Sequence, residues 1–339
     1  YGPDDASLYR RDAEADSDVF RDIAALSHRA AADLIRADEV DILVDLAGHT
    51  NFNRLEICAL RPAALQATYL GFPGGSGAGF IDYLIGDPVV TPSDAAADFQ
   101  EALAILPHAY QVNDRAQRLA DAPPDRAAAG LPESGFVFAC FNLPFKFEAE
   151  VFACWMRLLK VKPGAVLWLF DETDGLLAAR LRAAAIDSGV EPDRLVFAPR
   201  VPKPQHLARL ALADLMLDTR LYNGHTTTSD ALFAGLPVVT LQGRHFASRV
   251  SASLLNAVGL PDLVTDSLAA YEALAGALAE DAAALAAIRA RLAANRMTAP
   301  LFDTALTARH LEAAYREMWA IHSAGEAPRQ ILVRAEDTT

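Results

Sequence analysis

A chain of 339 residues that is 52% apolar is long enough for two ordinary domains with substantial cores. Its formal net charge of −14 argues against a general polyanion binder and so against nucleic acid as a partner, while leaving room for one local basic pocket for a diphosphate. No apolar run spans a bilayer, because the Ala/Leu-rich stretch Leu268 to Ile288 is broken by Glu272, Glu280 and Asp281, so the expectation is a cytoplasmic protein with no membrane partner.

In chain order, Tyr1 without an initiator Met reads as the start of a segment of a longer chain. Asp12 to Asp38 predicts two short amphipathic surface helices, with Val19, Ile23, Leu26, Leu34 and Ile35 near helical spacing. Asp16-Ser17-Asp18 matches an acid-x-acid metal pattern, but it lies in an acidic helical stretch and reads as a solvated face. Val40 to Leu46 predicts a buried strand that ends in Ala47-Gly48-His49-Thr50, where open α/β sheets place their ligands. His49 there is a general base or sugar ligand, or else a cap on the next turn. A short helix at Ile57 to Leu60 and a strand at Leu65 to Leu70 lead into the loop Gly71 to Gly77. Its four glycines let backbone approach a ligand with N–H groups exposed. The loop has neither the Gly-Lys-Ser/Thr of a phosphate loop nor the spacing of a dinucleotide fingerprint.

Strands follow at Asp82 to Ile85 and Ala102 to Leu106, after which Asn113 to Pro132 loses apolar periodicity and predicts a domain boundary. Beyond it comes a repeating βα pattern. Strands are expected at Phe136 to Phe141, Ala165 to Phe170 and Arg194 to Ala198, with helices at Glu148 to Lys160, Gly175 to Gly189 and Pro204 to Leu212. Such alternation makes a parallel sheet covered on both faces. Strand Pro237 to Leu241, Ala-rich helices to Arg296 and a helix Thr304 to His322 complete the fold, before a frayed tail from Ser323. Cys58, Cys140 and Cys154 sit among apolar residues as buried thiols and suggest no metal site.

Leu212 to Thr240 organises this half. The run Leu215 to Leu217 ends at Asp218, the loop Arg220 to Gly224 follows, and Thr226, Thr227 or Thr228 caps a helix carrying Leu232 and Phe233. A helix opening directly after a strand aims free N–H groups and a positive dipole end at the strand's carboxyl edge, which makes a phosphate seat. His225 adds a ring donor, and Asp230, one turn on, is placed to accept from a ribose.

Taken together, LVDLAGHT (Leu43 to Thr50), ALRPAALQATYLGFPGGSGAGFIDY (Ala59 to Tyr83), FNLPFK (Phe141 to Lys146), VLWLF (Val166 to Phe170), RLVFAPRVPKPQHLAR (Arg194 to Arg209) and DTRLYNGHTTTSDALFAGLPVVT (Asp218 to Thr240) carry a resemblance. From about Asp4 to about Trp319 the chain resembles the catalytic region of the O-linked N-acetylglucosamine transferase family, bacterial members included. The resemblance implies an α/β GT-B fold, two Rossmann-like lobes facing a cleft, with UDP-sugar held mainly by the C-terminal lobe. It implies a division into 1–129, the C-terminal part of the N-terminal catalytic lobe, which is incomplete in this chain; 130–303, the UDP-sugar lobe; and 304–339, a terminal helix and tail. Lys146 becomes the cation on the donor phosphates. Lys203, His206 and Arg209, with the backbone near Val201, contact uridine; His225, Thr226 and Thr227 hold the diphosphate and Asp230 the ribose. Thr50 and the Gly71 loop face the sugar, with Tyr222 as a wall for its 2-substituent.

The implied reaction moves N-acetylglucosamine from UDP-GlcNAc, with inversion, to Ser or Thr hydroxyls of a protein or peptide acceptor. Departing UDP puts charge on the β-phosphate, which a lysine and a helix N-terminus stabilise without metal or other cofactor. Leu143 stands where the family usually carries Gln or Asn, so one hydrogen bond to the donor is missing, worth on the order of 1.5–3 kcal/mol. The family's active-site His segment and its tetratricopeptide array precede the point where this chain begins. Two other readings stay open: a UDP-hexose-dependent transferase acting on Asn or a small molecule, and a nucleotide-binding protein that has lost catalysis.

Overall fold

The computed structural model describes residues 2, 4–120, 124–171, 173 and 175–336. The chain divides into two units, one of residues 1–86, 93–105 and 313–332, the other of residues 87–92, 106–312 and 333–339. It thus passes between units several times. Among the described residues from 106 to 136 there is neither helix nor strand, in keeping with the lost periodicity of Asn113 to Pro132, of which 121–123 lie outside the described residues.

The first unit carries α1 (Leu8–Asp16), α2 (His28–Ala37), β1 (Ile42–Asp45), α3 (Leu55–Ala59), β2 (Leu65–Thr68), β3 (Tyr83–Gly86) and β4 (Ala102–Ile105). Ser7 and Ser27 cap α1 and α2 by accepting from the N–H groups of Arg10 and Ala30. Ala31 and Ala32 of α2 bury against Ile57, with Ile23 and Leu26 packed alongside. The strands form a parallel sheet in the order β1, β2, β3, β4. β2 and β3 are buried throughout, but β1 is only half-buried, correcting the expectation of a buried strand: it is the edge of the sheet and has one neighbour.

The second unit runs β5 (Val137–Cys140), α4 (Ala149–Val161), β6 (Val166–Phe170), α5 (Leu176–Asp187), β7 (Leu195–Ala198), α6 (Lys203–Arg209), β8 (Leu215–Leu217), α7 (Thr226–Phe233), β9 (Val238–Leu241), α8 (Val250–Ala257), β10 (Val264–Thr265), α9 (Leu268–Glu280), α10 (Ala282–Asn295) and α11 (Thr304–Ser323). The last part of α11, from residue 313, belongs with the first unit. The six strands are parallel in the order β7-β6-β5-β8-β9-β10. The first three strands run one way from β5 and the next three run the other way from β8, the order of a dinucleotide-binding sheet. The carboxyl ends of β5 and β8 form the switch point at which sheets of this order place their ligands.

The tail differs from expectation. A further strand, β11 (Ile331–Leu332), pairs in parallel with β4 and closes the far edge of the first sheet, so the segment after Ser323 is not wholly frayed; residues 337–339 lie outside the described residues. A two-residue strand in a polar tail has no periodicity to announce it, and the ladder to β4 alone fixes it.

Candidate active site

Three strand ends build the site in the second unit. After β5 the chain runs through Phe141, Asn142 and Leu143 into a single 3-10 turn, Pro144–Lys146. After β7 it reaches Val201 and enters α6 at Lys203. After β8 it makes the loop 219–224 and enters α7. A cavity of about 330 Å³ lies among them, lined by Leu143, Val201, Lys203, His206, Arg209, Thr226, Thr227 and Asp230, with Phe141, Phe170 and Arg200 completing its walls. Three cations against one carboxylate make it a positive spot in an acidic protein. A wider cavity next door, about 670 Å³, shares Val201 and Arg209 but is otherwise walled by aromatic and small residues with Gln205; among the described residues Arg209 is its one charged lining residue, and it lacks the α7 N-terminus.

The cap of α7 is His225, with no side-chain cap bond, rather than a threonine. The threonines form the first turn instead. Thr228 is buried and its hydroxyl meets that of Ser251 at 2.8 Å, which leaves Thr226 and Thr227 on the cavity side. The turn before the helix needs glycine: a Cβ on Gly224 would lie 2.4 Å from Thr228 Oγ1 and 2.9 Å from Asn142 Oδ1. His225 is pushed down to about 3 by burial, then by the Lys146 charge, so its ring is neutral at physiological pH. Among the described residues its Nε2 is buried without a hydrogen-bond partner, an unmet polar group at the mouth of α7.

Lys146 is half-buried, donates to the Asn223 carbonyl at 2.7 Å and lies 4.0 Å over the Tyr222 ring. Burial brings its pKa down to about 8, against the opposing pull of Asp218 and Cys140, so it is an ammonium at neutral pH. Tyr222 also faces Phe145 and His225, at 5.9 and 5.1 Å between ring centroids, and this fixes the ring beside the cation.

At the other end, Arg209 is buried, donates from Nη1 to the Pro199 carbonyl at 2.7 Å and from Nε to His206 Nδ1 at 3.1 Å, and stacks 4.8 Å from the Phe141 centroid. Burial lowers its pKa to about 10, which still leaves a full guanidinium charge. His206 is pushed down to about 4 by burial, then by Arg209 and Lys203, and stays neutral. Lys203 Nζ donates to Asp230 Oδ1 at 2.6 Å; burial raises the Asp230 pKa and Lys203 opposes that. The carboxylate expected to meet a ribose thus has one oxygen engaged.

His49, Thr50 and Gly71 belong to the first unit. Asp45 draws the turn after β1 together by accepting from Gly48 N at 2.6 Å. His49 is exposed; its Nε2 bonds the Ser76 carbonyl at 2.8 Å, which puts the proton there and leaves Nδ1 as the basic nitrogen. Gly71 is required because a Cβ would lie 2.0 Å from the Leu46 carbonyl oxygen. The Gly71 loop does not present its N–H groups freely, however: those of Gly71, Gly74, Ser76 and Ala78 bond Tyr69 O, Phe72 O, Glu101 Oε1 and Ser76 Oγ. Sequence reasoning also missed Asn142 and Asp218, which knit the loop after β8 to the end of β5; the available signal was a polar residue just past each of two buried strands.

Two parallel α/β sheets, with a cationic crevice at the strand-order reversal of the second, define a GT-B fold, and solved structures agree. The chain is similar to a mutant of the Thermobaculum terrenum O-GlcNAc transferase (TM-score 0.82, 32% identity, 94% of this chain and 61% of that one). It shares its fold with Anabaena HepE, solved with UDP and glucose (TM-score 0.56, 16% identity, 91% and 84%). Residues 1–123 and 124–311 match Glycosyl transferase family 41, and the chain belongs to that family. Among relatives, it is 40% identical over 340 residues to the probable UDP-N-acetylglucosamine–peptide N-acetylglucosaminyltransferase SEC of Arabidopsis thaliana, covering 98% of this chain and 35% of the plant protein. It is 27% identical over 434 residues to the UDP-N-acetylglucosamine–peptide N-acetylglucosaminyltransferase of Caenorhabditis elegans, covering 95% and 38%. The chain therefore spans little more than a third of the length of these curated relatives.

Proposed function

We propose that this chain is the donor-binding and catalytic region of a transferase that moves N-acetylglucosamine from UDP-GlcNAc to Ser or Thr of a protein. The observation that carries the reading is Lys146, held by the Asn223 carbonyl in the loop that leads into α7 at the β5/β8 reversal, beside the cationic cavity. The names of the relatives give the sugar and the acceptor class. Arg209, His206 and the backbone at Val201 hold the uridine; Asp230, by its second oxygen, and Lys203 hold the ribose. The diphosphate lies on Thr226, Thr227 and His225, with Lys146 across from them and Tyr222 against the sugar.

As the glycosidic bond breaks, charge grows on the β-phosphate and is met by fixed positive groups that need no rearrangement. Metal is not required in this scheme. Attack by the acceptor hydroxyl from the opposite face inverts the anomeric carbon, and His49 Nδ1, with Thr50 and Gly71 beside it, is the base we assign from the first unit. The domain division 1–129, 130–303 and 304–339, upstream tetratricopeptide repeats and a cytoplasmic setting belong to the same proposal; no helix among the described residues is long and apolar enough to cross a membrane. The test is turnover by the full-length protein on a Ser-containing peptide, with UDP-GlcNAc or UDP-glucose, in EDTA. Mass spectrometry should show a HexNAc adduct on Ser. A hexose adduct, or labelling only when Mg²⁺ or Mn²⁺ is added, would refute the donor or the metal-free scheme respectively.

A further inference from the structure

Asp218 lies one residue past β8 and is 1% exposed. Its Oδ1 accepts from Asn142 Nδ2 at 2.9 Å, Thr219 N at 2.8 Å and Gly224 N at 2.7 Å, and its Oδ2 accepts from Thr240 Oγ1 at 2.6 Å. The donors come from the end of β5, the loop after β8 and β9. A carboxylate buried this completely is costly unless its lone pairs are met. Here they are met by donors, and among the described residues no cation forms an ion pair with it. The end of β8 is held independently, because Tyr271 Oη donates to the Asp218 carbonyl at 2.9 Å and is itself anchored by Trp155 Nε1 at 3.2 Å. The carboxylate is thus not needed to hold the strand. It acts on the loop.

Through the loop it reaches the ligand side. Asn142 Nδ2 also bonds Thr219 Oγ1 at 2.8 Å, and Thr219 Oγ1 donates to Tyr222 O at 2.5 Å, which sets the aromatic ring under Lys146. Gly224 N on Oδ1 fixes the turn that delivers Asn223 O to Lys146 Nζ and opens α7. The groups around Lys146 are Asp218, Cys140, Tyr222 and His225. Burial pushes the Cys140 thiol and the Tyr222 phenol up and the His225 ring down, so all three are neutral at neutral pH; burial raises the Asp218 carboxyl as well, but the bonds it accepts from Ser251, Thr240, Gly224 and Asn142 oppose that and favour its charged form, which makes it the one source of negative charge among the four.

We propose that Asp218, without touching the donor, is the positioning residue of the diphosphate seat: it fixes residues 219–224 in their ligand-ready shape and supplies the negative charge against which the Lys146 cation is held. This rests on the UDP-binding reading given above.

The experiment is calorimetric titration of this chain with UDP between pH 6.5 and 9.5, for wild type and Asp218→Asn, with melting temperatures measured alongside. In wild type the fall in affinity sets in near pH 8, where Lys146 is half deprotonated, and steepens to about tenfold per pH unit above it. In Asp218→Asn the onset of that fall moves down by about one unit, so the variant loses roughly tenfold more at pH 8.5 than it loses at pH 6.5. Tyr271→Phe, which frees the strand end but leaves the carboxylate, melts earlier and keeps the wild-type onset. Thr240→Val keeps the charge and removes one donor from the carboxylate, leaving those of Ser251, Gly224 and Asn142, so it retains the onset and weakens UDP at every pH; this arm decides the positioning role even if Asp218→Asn does not fold. Coincident onsets in Asp218→Asn and wild type, or undiminished affinity in Thr240→Val, overturn the inference alone. A wild type that binds no UDP at any pH overturns the functional reading and this inference together.

Discussion

Arg209 Nε donates to His206 Nδ1 at 3.1 Å, and that bond places the imidazole proton of the neutral ring on Nε2. Arg209 is therefore both a wall of the cavity and the group that sets the tautomer of its neighbour. Replacing it with Met removes one of the causes that hold His206 down at about 4 but leaves burial, the largest, in place. The His206 pKa should rise without regaining the usual imidazole range, as read from its ring resonances during an NMR pH titration. UDP affinity should fall by about 10–100-fold, the loss of a hydrogen bond from a charged donor. A His206 pKa that stays put would mean that the guanidinium does not act on the ring.

Lys203 and Asp230 test how the cavity tolerates charge. Lys203→Met leaves the Asp230 carboxylate buried without its cation, and we expect a stability loss of about 1–3 kcal/mol by denaturant titration, together with weaker UDP binding. Adding Asp230→Asn should restore most of the stability and none of the UDP affinity. If the double variant stayed as unstable as the single one, the pair would not be what makes Lys203 matter to the fold.

Leu143 is 38% exposed and lines the cavity as an apolar wall. Leu143→Gln places an amide donor on the phosphate side and should tighten UDP by roughly tenfold or more, at the scale of one hydrogen bond to a charged group. Unchanged affinity in calorimetry would show that this side of the cavity does not face the diphosphate.

Much of this architecture was legible because buried parallel strands are short apolar runs, and Leu215 to Leu217 or Val166 to Phe170 leave little choice of secondary structure. The α7 seat was legible for the same reason: hydroxyl residues directly after such a run open a helix. What escaped was set by partners distant in sequence. Asn142 and Asp218 are 76 residues apart and declare their bond only once β5 and β8 are neighbours. The half-burial of β1, the pairing of β11 with β4 and the internal bonding of the Gly71 loop through Glu101 are likewise tertiary facts. A run of glycines shows that backbone can come close. It does not show what the backbone comes close to, and here part of the answer is the Leu46 carbonyl.

Lys146 is the residue on which the proposed chemistry depends most. Its ammonium sits at 2.7 Å from the Asn223 carbonyl and 4.0 Å above the Tyr222 ring, in the place the proposal gives to the cation that meets the departing diphosphate. The most direct measurement is steady-state transfer by the full-length protein carrying Lys146→Met, with UDP affinity taken separately by calorimetry. A group that stabilises the leaving diphosphate in the transition state predicts a kcat lower by on the order of 10²–10³-fold, with a smaller loss in UDP affinity. A wild-type kcat accompanied only by a raised KM would contradict it, reducing Lys146 to a ground-state anchor.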